Sequence, residues 1–160
     1  MDTELIMMRI LHIGPGVVWV GSAFFAAFIL NPRLRALGPE MEKQVTASIN
    51  KVWGPVVHGS AAITIIVGFM LISSTPGREF GDLFTTDWGW AIGIGIVTAF
   101  VALIFGGLAG FSQSKGRRLN EESPGSVSLK SLDMQSSIFE KLHASAALVA
   151  VAAMAAARWV

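Results

Sequence analysis

The sequence predicts an all-α membrane protein, a bundle of four transmembrane helices running up and down with both termini outside. Three observations predict it. Of 160 residues, 52% are hydrophobic and 14% charged, whereas a soluble domain carries roughly 25% charge. The charges are placed so that four long stretches carry none. The basic residues fall mostly on one side of the membrane that those stretches define.

The first stretch covers positions 10–30, which is 21 residues. Lys51 to Arg78 encloses 26 and Asp87 to Lys115 encloses 27. About 20 apolar residues cross a bilayer core as a helix, so these three qualify. The fourth, between Lys141 and Arg158, encloses 16, and its flanking cations can snorkel to the headgroups. The spans are expected near 6–30, 54–74, 88–111 and 139–160, so that 1–160 forms one integral membrane domain. The opening MDTELIMMR is acidic at its start, unlike the positive n-region of a secretory signal. The first stretch therefore reads as a retained span.

Arg9, Arg78 and Arg158 share one side with the termini and the 75–87 loop. Arg33, Arg35, Lys43, Lys51, Lys115, Arg117, Arg118, Lys130 and Lys141 lie on the other. This imbalance puts the two longer loops in the cytoplasm and the termini on the outer or periplasmic face of the cell (inner) membrane. Trp53, Trp88, Trp90 and Trp159 fall at span ends, as interfacial belts require. Trp19 lies near mid-membrane and is expected inside the bundle.

Pro39 can open a helix at its first turn. Met41, Val45, Ile49 and Val52 follow at helical spacing, which predicts an amphipathic lead-in to the second span. Leu129, Leu132 and Phe139 form a similar lead-in to the fourth. Residues 112–128 read as a loop. Pro15 cannot bond to the Leu11 carbonyl, so a kink is expected there. Gly89/Gly93, Gly106/Gly110 and Ala146/Ala150 are small-xxx-small pairs that let helices approach closely or leave room for a flat cofactor.

Composition excludes several chemistries. No cysteine is present, which removes disulfides, zinc–thiolate sites, iron–sulfur clusters and covalent c-type haem. A net charge of +1 gives no nucleic-acid footprint. The sequence contains no Ser-His-Asp set, HExxH, P-loop or GxGxxG. Its charged residues lie in loops or at span ends, so no buried acid/base pair is expected.

The 3 histidines, His12, His58 and His143, all lie in or at the edge of spans, where ionisable residues are costly and mark functional sites. His58 and His143 sit roughly 9–10 Å to the cytoplasmic side of their span centres, at 1.5 Å per residue. Both open a short shared sequence, HGSA and HASA. In an up-down bundle the second and fourth spans are diagonal, with axes about 11–14 Å apart. That separation suits two imidazoles on opposite faces of one haem iron. His58 and His143 are therefore the expected axial ligands of a b-type haem. His12 lies on the order of 20 Å away along the axis, in the half that holds Met7, Met8, Met70 and Met154. A second haem held by His12 with Met70 or Met154, or a copper(I) site, are the readings open there, beside methionine as plain core filler.

The first span reads LHIGPGVVWVGSAFF, a histidine followed by tryptophan seven residues later and a glycine-led small stretch. With Asn31-Pro32-Arg33-Leu34, it resembles the CopD-like copper-resistance membrane proteins and the HemJ-type protoporphyrinogen oxidases. The HemJ resemblance implies a haem role for His12 and a lysine in the third span, but Trp90 to Gly110 contains no charge. The CopD resemblance implies copper handling by His12 and nearby methionines.

The expected function is a haem-b membrane cytochrome transferring electrons, as a subunit of a larger redox complex or a homo-oligomer, with quinone as a further partner beside the lipid bilayer. The alternatives are a copper-handling permease, a porphyrin oxidase and a cofactor-free accessory subunit.

Overall fold

The computed structural model describes residues 3–123 and 127–160. Among these residues the chain is helical apart from its connections, and no strand occurs. Helix α1 spans Thr3–Phe25 and passes through a π-helical stretch, Ala26–Leu30, into α2, Asn31–Leu37. Helix α3 spans Pro39–Ser74, α4 Asp87–Glu122 and α5 Val127–Ala156. With α1 and α2 as one continuous rod, four helices are long and apolar enough to cross a membrane. This is a multi-pass membrane protein.

The rods are longer than the expected spans because the lead-ins are continuous with them. Pro39 sits in the first turn of α3, where a missing N–H costs nothing. The amphipathic segment after it continues into the span without a break. Residues 112–128, expected as a loop, are mostly helix: α4 carries on to Glu122. Lys115, Arg117 and Arg118 are strong helix formers, so the change to polar sequence marks the exit from the apolar layer and leaves the helix intact. Positions 124–126 of that segment lie outside the described residues. Helix α1 runs on through Pro15, and the departure from α geometry comes later, in the π stretch.

Only Gly38 separates α2 from α3. Its φ of +93° and ψ of 164° belong to a region that is essentially glycine-only. The two rods so joined lie side by side, with Gly16 against Thr64 and Phe25 against Trp53 at 6.4 Å. Likewise Gly95 of α4 meets Met154 of α5 and Gly116 meets Leu132. The molecule is thus two close antiparallel pairs, α1 with α3 and α4 with α5, joined chiefly where α1 touches α5. Helix α3 makes scarcely any close approach to α4 or α5.

The four rods meet at one buried cluster, Trp19, Ala61, Ala102 and Ala147, with one residue from each. Trp19 is 3% exposed, which places its ring inside the bundle as expected. The alanines opposite it supply the close approach that lipid-embedded helices need.

The small-residue pairs divide in their use. Gly89 and Gly93 face the chain's own connection and not another helix: Gly89 abuts the Asp82 backbone and Gly93 the Phe84 ring. Phe84 adopts a positive φ of 64° and sets its ring edge-on to Trp90 at 5.1 Å. Thr86 caps α4 by accepting from the Gly89 N–H at 3.0 Å. A methyl group at Gly89 would overlap the Asp82 carbonyl, which is backbone and cannot turn aside. Gly89→Ala is therefore expected to cost about 1–3 kcal/mol, read as a lowered unfolding temperature in detergent. An unchanged melting curve would contradict this packing.

Candidate functional site

One cavity of about 690 Å³ occupies the gap that α3 leaves beside α4 and α5, in the range of pockets that hold small molecules and cofactors. It reaches from Gly106 and His143, near the central cluster, to the end of the bundle that carries Lys43, Glu121 and Asp133. His58 and His143 both line it, and His12 does not. The structure thus brings the two expected haem ligands to one cavity.

His58 is exposed to this space, and its Nδ1–H donates to the Gly54 carbonyl one turn back, at 2.7 Å. That bond leaves Nε2 as the open nitrogen. His143 is half-buried. Its ring stands edge-on to Trp19, with centroids 6.2 Å apart and planes at 87°. The ring lies so close to α4 that a Cβ at Gly106 would overlap Nδ1. Its Nε2 is buried with no hydrogen-bond partner. An orphaned nitrogen in an apolar setting costs about 1–3 kcal/mol, so a ligand that engages it has a free-energy advantage. His58, tied down through one nitrogen with the other open, has the arrangement that metal-binding histidines adopt.

Gly106 is what gives the His143 ring its place. Gly106→Ala is expected to displace the imidazole and to destabilise the fold by about 1–3 kcal/mol. The check is thermal unfolding in parallel with Gly107→Ala, whose added methyl would meet nothing within 4 Å. Equal melting of the two variants would count against this placement.

His12 lies apart from the cavity. Its Nδ1–H donates to the Thr64 carbonyl at 2.7 Å, and its ring fills the space over Gly68, where a Cβ would come within 2.8 Å of Cε1. It therefore works as a strap between α1 and α3. Of the methionines considered with it, Met70 is 51% exposed and Met154 fills the notch at Gly95. Among the described residues no group of three or more His, Cys, Asp or Glu side chains could hold a metal ion.

No buried acid/base pair was expected, yet one acid is buried and paired with an arginine. Glu140 is 8% exposed and lines the cavity one turn from His143. Its Oε1 accepts from Arg35 Nη2 at 3.0 Å and from Gln113 Nε2 at 2.6 Å. Arg35 also donates through Nε to Asp133 at 2.7 Å and through Nη2 to Ser136 at 3.2 Å. The guanidinium fork suits such a multiple bond, and it ties the end of α2 to α5. A weaker pair, Lys43 to Glu121 at 3.3 Å, joins α3 to α4 at the surface. The sequence did hold a signal for Glu140. Ser136, Glu140, Ala144 and Ala147 recur at helical spacing on α5 and are all buried, so the acid belongs to the inward stripe.

No protein-family model, curated protein or solved structure matches this chain.

Proposed function

We propose that the protein is a haem-b-binding membrane cytochrome in which His58 and His143 are the two axial ligands. The observation that carries this reading is the buried, unpartnered Nε2 of His143, on the wall of a cavity that His58 also lines. Each ring is oriented by contact with helix backbone, which fits the requirement that a ligating imidazole present a fixed nitrogen. The small residues along the cavity, Ala109 and Gly110 among them, suit a flat ring. Arg117 and Lys43 at the wider end suit its carboxylates. Haem bound there supplies one-electron chemistry, and burial within the bundle sets its potential. The chain's own contribution is to hold two imidazoles, exclude water at the Trp19 level and supply cations at the open end.

In this reading the Arg35 end faces the cytoplasm of the cell membrane and the termini lie outside, following the distribution of basic residues. A partner protein or a second copy exchanges the electrons, and His12 serves to join α1 and α3.

An absorption spectrum of the detergent-purified protein, oxidised and then reduced, tests the reading. A Soret band, with an α band that sharpens on reduction, is the expected result. A colourless protein with bound copper would favour the permease. A colourless protein without metal that copurifies with a partner would favour the accessory subunit.

A further inference from the structure

The outward face of α4 carries one pattern from the apolar layer to the polar end of the helix. Val97, Ile104, Leu108, Phe111, Lys115 and Arg118 follow one another at steps of three, four or seven residues, so they form a single stripe. All of them are exposed, Phe111 at 66%. Gly106, which lines the cavity, lies on the other side of the same helix. The stripe turns from apolar to basic at Lys115, where the charge-free stretch that follows Asp87 ends. That is the level at which hydrocarbon gives way to headgroups.

The basic end of the stripe is a shallow recess of about 380 Å³, lined by Phe111, Ser114, Lys115, Arg118, Leu119 and Glu122. Ser114 Oγ–H donates to the Phe111 carbonyl at 2.9 Å, so the donors on offer are the Lys115 ammonium and the Arg118 guanidinium. Among the described residues neither cation is in an ion pair, since the pairs that occur involve Arg35 and Lys43. Two cations beside the Glu122 carboxylate leave the recess with a single positive charge, which one phosphodiester balances. Arg33, Lys51 and Lys141 are exposed as well, but none has a second cation one turn away on its own rod. A soluble anion would have no use for the apolar stripe below the cations. A second copy docked symmetrically through this face would set like charges against each other.

We infer that this face of α4 binds a monoanionic phospholipid, with its phosphodiester between Lys115 and Arg118 and an acyl chain along Phe111, Leu108 and Ile104. Basic side chains at the exit of a span attract anionic headgroups, and both guanidinium and ammonium groups hydrogen-bond phosphate oxygens. The lipid sits outside the bundle, across α4 from the cavity, and the assignment does not depend on the haem reading.

The test is native mass spectrometry of the purified full-length protein, titrated in neutral detergent with dioleoyl phosphatidylglycerol or dioleoyl phosphatidylcholine. The two lipids share their tails and differ in headgroup charge. Retention of phosphatidylglycerol at about tenfold lower concentration is expected. The double variant Lys115→Gln/Arg118→Gln should erase that preference, and Arg118→Gln alone should lower it about threefold. Lys51→Gln/Lys141→Gln, which removes two exposed cations elsewhere, should leave it intact. Glycerol phosphate, which carries the anion without tails, should not displace the bound lipid. Equal retention of the two lipids by the unaltered protein would overturn the assignment. So would a preference that survives loss of both Lys115 and Arg118, displacement by glycerol phosphate, or a lipid-free dimer that forms through this face. Haem content, read separately from the absorption spectrum, reports on the cytochrome reading, so the two ideas fail by different signals.

Discussion

On the proposed haem reading, replacing His143 by alanine should abolish haem binding while leaving the helices in place. Its Nε2 is buried without a partner, on a residue that lines the cavity, and alanine offers nothing in its stead. His58→Ala should do the same, since each variant lacks one of the two imidazoles that would hold the iron. His12→Ala is the control, because its ring is bonded to Thr64 and lies outside the cavity lining. The measurement is the haem-to-protein ratio of each purified variant, with circular dichroism to follow helix content. Added free imidazole, able to enter the vacated space, should restore part of the Soret band in His143→Ala. A full complement of haem in both cavity variants would refute the pairing.

The largest effect on stability is expected at Arg35. Its side chain is 17% exposed and that of Glu140 8%, so removal of the guanidinium leaves a largely buried carboxylate with its countercharge gone. Breaking a buried pair in this one-sided way costs about 3–5 kcal/mol. The bond to Asp133 adds little, since that carboxylate is 58% exposed and exposed pairs contribute only about 0–1 kcal/mol. Arg35→Ala should therefore unfold at a markedly lower temperature. The double variant Arg35→Ala/Glu140→Gln should regain much of the loss, because the stranded charge goes with the acid. If the double variant melts no higher than the single one, the penalty lies elsewhere than in the buried charge.

Much of this architecture was legible in the sequence because the bilayer imposes a simple demand. A helix must shed charge for about 20 residues, and gaps between charges locate the spans directly. Trp19 was legible for the same reason, since a tryptophan away from both interfaces needs an interior. The helix ends were not, because polarity reports the edge of the lipid and says nothing of whether the backbone continues to coil. Lys115, Arg117 and Arg118 leave the membrane and stay helical. The helical stripe of Ser136, Glu140, Ala144 and Ala147 marks Glu140 as inward, but its neighbour masks it. Glu140 and Lys141 look alike as the charged start of a span, but only Glu140 meets Arg35, 105 positions earlier in the chain. The HGSA and HASA repeat drew attention to the two histidines that come to share the cavity.

The division into two close pairs has a consequence for assembly. His58 belongs to the half made of α1 and α3, and His143 to the half made of α4 and α5. Beyond the meeting of α1 with α5, the halves are joined by Ala61 in the central cluster, by Lys43 to Glu121 and by the reach of Arg35. A molecule gripped by both imidazoles would then be a clasp as well as a cofactor. Two hairpins translated as separate polypeptides, severed in the connection after Ser74, should find each other most readily when that clasp is supplied.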